Sequence, residues 1–164
     1  MQFLKTHRLI CTEIIMTVVL IVFISLCVSG RVRDDVPLAD LKAPLLARLA
    51  GAENMKEAGA MKLRALYGLT ESDYTEVLLY IPVSNMDAQE MLLVRCRSEE
   101  QTETVADAMR KRIKDQTGIF ESYGVEQMAL INKAVVDVQG TYCLYVCDAG
   151  SYEAQAAFRR LLAK

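Results

Sequence analysis

Histidine is almost absent from this chain: the single copy, His7, stands ahead of a long apolar run and outside the body of the protein. Serine or cysteine catalysis with a histidine base is thereby excluded from that body. Histidine-ligated zinc is excluded too, and three scattered cysteines (Cys96, Cys143 and Cys147) do not replace it. The sequence has no Gly-rich phosphate loop, no Gly-x-Ser-x-Gly elbow and no acidic calcium loop. No metal and no cofactor are expected. Excess positive charge is missing as well. Setting aside residues 1–30 removes Lys5, Arg8 and Glu13 and leaves 17 basic against 20 acidic residues, a net charge of −3 with the signs interspersed. Without a basic patch, nucleic acid has no electrostatic footing as a partner. Anionic headgroups find only Arg31 and Arg33.

What the chain does have is an uncharged apolar run over residues 14–28, extendable back to Leu9. Residues 9–28 would span roughly 30 Å as a helix, the thickness of a bilayer's hydrocarbon core. Three fates compete for this segment. A cleaved signal would use Val28-Ser29-Gly30, near Gly30, but the run is long for a signal. Lipidation at Cys27 is disfavoured by bulky Leu26 before it. An uncleaved anchor is therefore preferred. Glu13 would cost ~2.5–3.5 kcal/mol at mid-membrane but lies near the start, within reach of headgroups. Two basic residues before the run and two just after leave orientation balanced, with the amino terminus tipping the short tail inward. The expected organisation is an anchor or signal over 1–30, a linker over 31–37 and one domain over 38–164.

Cys143 and Cys147 share a face of one strand but stand roughly 13 Å apart, too far to bridge. Cys96 could pair with either across neighbouring strands. The plainer reading makes all three small buried hydrophobes.

The domain begins with Leu38, Leu41, Leu45 and Leu49 at helical spacing, interrupted by Pro44. Residues 55–67 predict a second helix, closed by Gly68. A strand over 74–83, a turn over 84–87 and a strand over 88–97 then make a hairpin. Ser98-Glu-Glu-Gln101 reads as a capping box opening a long helix whose stripe is Val105, Met109, Ile113, Thr117 and Phe120. A short helix over 125–133 leads to strands over 134–138 and 141–147, and a last helix carries Ala154, Ala157, Phe158 and Leu161. The expected class is α+β: two ββα units forming a four-stranded, mainly antiparallel sheet backed by helices, preceded by a transmembrane or signal helix and one or two short helices. Apolar residues on both strand parities predict that both faces are covered, the second by the N-terminal helices.

One constellation stands out. Arg112, Gln116, Phe120 and Tyr123 fall at i, i+4, i+8 and i+11, along one face of the long helix. Bordering the core seam, Arg112 should be half-buried and should need a carboxylate, for which Glu90 is the candidate. Glu90, Arg112, Gln116 and Tyr123 could form a ligand-facing row. A structural Arg–Glu link between helix and sheet is the favoured reading.

These residues carry a resemblance. Ala88-x-Glu90, Arg112-x-x-x-Gln116-x-x-x-Phe120-x-x-Tyr123, Ala134-x-Val136, Gly140-x-Tyr142 and Asp148 resemble the bacterial domain-of-unknown-function family 4358 over residues 38–162. The resemblance implies small secreted, lipid-anchored or membrane-anchored proteins of Gram-positive bacteria with no assigned activity, and so places the domain outside the cell. The expectation is a single-pass, extracytoplasmic binding module of the cell envelope, without catalysis and with a possible protein partner. An envelope enzyme or small-ligand protein using the Glu/Arg/Gln/Tyr row, and a structural subunit of a membrane complex, are the alternatives.

Overall fold

A computed structural model describes residues 16–21, 32–122 and 124–164. The chain divides into two compact units, residues 1–32 with Lys164 and residues 33–163. In the first, residues 16–21 are helical and exposed. The rest of the apolar run, with Cys27 and the cleavage site near Gly30, lies outside the described residues. No helix among the described residues is long and apolar enough to cross a membrane.

The second unit is α+β. Its elements run α1 (Leu38–Leu46), β1 (Met55–Ala58), α2 (Ala60–Tyr67), β2 (Glu76–Pro82), β3 (Glu90–Arg95), α3 (Glu100–Phe120), α4 (Val125–Ile131), β4 (Val135–Gln139), β5 (Tyr142–Cys147) and α5 (Ser151–Leu162). The sheet is antiparallel throughout, in the order β1-β2-β3-β5-β4. Two hairpins, β2–β3 and β4–β5, lie side by side through their second strands, with Glu90 opposite Cys147 and Arg95 opposite Tyr142.

The sheet has five strands rather than the expected four. Residues 55–58, expected to open a helix, pair as an edge strand with β2, from Met55 opposite Pro82 to Ala58 opposite Leu79. Gly59, extended at the N-cap of α2, separates strand from helix. Glu57 is fastened across the edge by Lys42 Nζ at 2.6 Å and Tyr80 Oη at 2.9 Å. Gly68 does close α2, with the left-handed φ of 71° that a C′ glycine supplies. Helix α1 continues through Pro44, and α3 starts differently from a capping box: the Gln101 side chain accepts from the Arg97 N–H at 2.9 Å, and Ser98 makes no side-chain cap.

Both faces of the sheet are covered. All six residues of β5 are completely buried. Cys143, Tyr145 and Cys147 belong to a core with Leu63 and Tyr67 of α2 and Val105, Met109 and Phe120 of α3. Tyr142, Leu144 and Val146 point the other way by strand alternation. Helices α1 and α5 pack against each other and both contact the sheet. Each fully buried leucine or phenylalanine contributes about 1.5–3 kcal/mol. The chain arrives at one end of this sheet: Tyr142 Oη donates to Val36 O at 2.8 Å, and Arg95 Nη2 to Asp34 O at 2.6 Å. Glu90 lies at the opposite end of β3.

Candidate functional site

Three of the four residues singled out in the sequence meet at that far end. Glu90 opens β3 and is fully buried. Arg112 and Gln116, one turn apart on α3, reach down to it. Arg112 Nε lies 3.2 Å from each carboxylate oxygen and Nη2 2.7 Å from Oε2, so the pairing is side-on. Gln116 Nε2 donates to Glu90 Oε2 and to Ala88 O, both at 3.1 Å. Tyr123 lies outside the described residues.

Two tyrosines complete the cluster. Tyr67, the last residue of α2, donates its hydroxyl to Glu90 Oε1. Tyr145 of β5 donates to Gln116 Oε1 at 2.5 Å. Their rings meet edge to face, 6.2 Å apart. Neither tyrosine is among the residues that the sequence singles out as a candidate site. The local signals were a tyrosine directly before the C′ glycine and one alternating with Cys143 and Cys147. Neither signal names a partner.

Burial opposes the charge of Arg112, but its hydrogen bonds to Glu90 outweigh that and hold its pKa above the ordinary arginine value. Burial, reinforced by the negative charge of Glu90, pushes the Tyr67 hydroxyl well above the usual tyrosine range. Burial raises Tyr145 in the same way, and lifts the neighbouring Cys147 thiol to about 12. The side chain of Glu90 is wholly enclosed while that of Arg112 keeps 14% of its surface exposed. That exposed part looks into a cleft of about 130 Å³ whose lining includes Lys62, Asn85, Asp87 and Ile119. Phe120 is shared with a second depression of about 280 Å³, walled by Met86 and Val125. Met86, Ile119 and Val125 are exposed to 61, 49 and 85%, an apolar surface beside the polar cluster.

A second buried carboxylate, Asp148, is built from different partners. Its Oδ1 accepts from the Ala50 and Gly150 N–H groups at 2.7 Å each, and Oδ2 from Gly51 N–H at 3.0 Å. It ties the loop after α1 to the turn before α5. A Cβ at Gly150 would sit 2.0 Å from Arg48 O, so only glycine allows that approach. Cys96, Cys143 and Cys147 are buried free thiols. Among the described residues no group of three His, Cys, Asp or Glu side chains could hold a metal.

Residues 49–148 match the family described as a domain of unknown function, DUF4358. The chain belongs to the DUF4358 family. Glu90, Arg112, Gln116 and Asp148 all fall inside the matched region. No curated protein and no solved structure matches the chain.

Proposed function

We propose that this DUF4358 domain is a non-catalytic interaction module, held at the outer face of the cell membrane by residues 9–28, that binds a protein partner through the Glu90 end of its sheet. The observation that carries this reading is the pairing of a wholly buried Glu90, its carboxylate taken up by Tyr67, Arg112 and Gln116, with an exposed apolar surface at Met86, Ile119 and Val125. An enzyme needs a base or nucleophile free to act. Glu90 already accepts from Tyr67, Arg112 and Gln116, and Tyr67 is held in its neutral form.

A photo-crosslinking residue at Val125, introduced into the full chain in its native membrane, should yield one discrete protein adduct. The same residue at Tyr152, exposed on α5, should yield none. Equal adducts at both positions, or none at Val125, would sink the interaction reading. External protease should also degrade the domain in intact protoplasts, and protection would overturn its placement outside.

A further inference from the structure

The side-on pairing leaves part of Arg112 unused. Nε and one N–H of Nη2 face Glu90. Of the three remaining N–H groups, one on Nη1 and the second on Nη2 form the end-on fork of the guanidinium, and none of the three has a partner among the described residues. Such a fork matches the two oxygens of a carboxylate. The guanidinium is also fixed in advance, since Tyr67, Gln116 and Arg112 converge on the same Glu90 and the Glu90 side chain is wholly enclosed. A donor held this way loses little freedom when a ligand arrives.

We propose that the partner segment presents a carboxylate beside a bulky apolar side chain, the carboxylate seated on the outward fork of Arg112 with Lys62 at the rim, and the apolar group in the depression of Phe120, Met86 and Val125. This inference rests on the interaction reading above and names the chemistry of its partner. Complementarity decides the occupant. The cleft lining supplies two cationic side chains, Lys62 and Arg112, together with Asp87, which can accept a backbone N–H of the partner. The adjoining depression supplies apolar walls, and Phe120 borders both. Methionine at the rim adapts to the shape of an incoming side chain. An anionic lipid surface fits less well, because Asp87 stands in the same cleft and would repel its headgroups.

The smallest probe with this chemistry is N-acetyl-L-leucine, which carries a carboxylate, an amide N–H and an isobutyl group; N-acetyl-L-leucinamide lacks only the charge. Titrated into the isotope-labelled full chain in nanodiscs, the acid should give saturable NMR shifts centred on Arg112, Gln116 and Phe120. The amide should bind about tenfold more weakly. Lys62→Glu, an exposed change outside the buried cluster, should weaken the acid and leave the amide unchanged, and should also lower the Val125 crosslink yield. Equal binding of acid and amide, or shifts scattered away from the cleft, would overturn the carboxylate site. Acid binding with an unaltered crosslink in Lys62→Glu would mean that the carboxylate is not the partner's, which also overturns the proposal. No binding of the acid with the crosslink intact defeats this inference alone, whereas loss of the crosslink in the unaltered chain defeats the interaction reading itself.

Discussion

Glu90 and Asp148 are both completely buried carboxylates in one small domain, yet they are held in opposite ways. Asp148 is satisfied by three backbone N–H groups and closes the contact between two loops. Nothing about it reaches solvent. Glu90 is satisfied by side chains, and one of them, Arg112, extends to the surface of a cleft. Backbone donors can only fix a shape, because their positions are the fold. A side-chain cation can fix a shape with one edge and offer another edge outward. The comparison therefore separates a structural clamp from a site whose buried half positions an accessible half.

The strongest way to break that contrast is to remove the cation. Arg112→Ala leaves Glu90 enclosed with only Tyr67 and Gln116 as donors, and should cost about 3–5 kcal/mol in urea unfolding. A change under about 1 kcal/mol would mean the pair is solvated in practice and the guanidinium free to move.

Asp148→Asn tests the other pole and should cost less, about 1–3 kcal/mol. The amide keeps one acceptor oxygen but turns an NH₂ toward a backbone N–H, so at least one of the Ala50, Gly51 and Gly150 donors loses its partner. The Val125 crosslink should persist in this variant under conditions where it stays folded. Its loss there would show that the two ends of the domain are coupled.

Much of this was open to sequence reasoning, for reasons that differ by element. The two hairpins and the helices after them declare themselves through alternation, turns and helical spacing, all local signals. The Arg112–Glu90 pair was inferable because an arginine beside a core seam demands a carboxylate, and Glu90 was placed at the right end of a strand. The strand at residues 55–58 was not, since four residues with Met55 and Ala58 at i and i+3 fit a helix equally well. Only the unpaired edge of β2 decides it. The clamp at Asp148 was equally hidden: its donors at Ala50 and Gly51 lie 98 and 97 residues away and are backbone groups, which carry no residue signature. Tyr67 reaches Glu90 only because α2 packs on α3.

The smallest effect expected belongs to Cys147, which lies beside both carboxylates. Cys147, opposite Glu90 in the register, has its thiol raised by burial from 9.0 to about 12, whereas an unfolded chain would release that proton near 9. Between those values the unfolded state binds fewer protons than the native state, so stability is fully present below pH 9 and falls as pH rises. Cys143 and Tyr67 are raised as well and steepen the decline, the tyrosine from about pH 10. The share of Cys147 is isolated by difference: from pH 8 to pH 10 the unaltered chain should lose about 1.4 kcal/mol more than Cys147→Ala loses. Asp148→Asn should follow the unaltered chain closely in slope, because burial, ahead of the charges of Glu90 and the adjacent Asp148, is what raises the thiol. Parallel slopes for the unaltered chain and Cys147→Ala would place the alkaline weakness elsewhere.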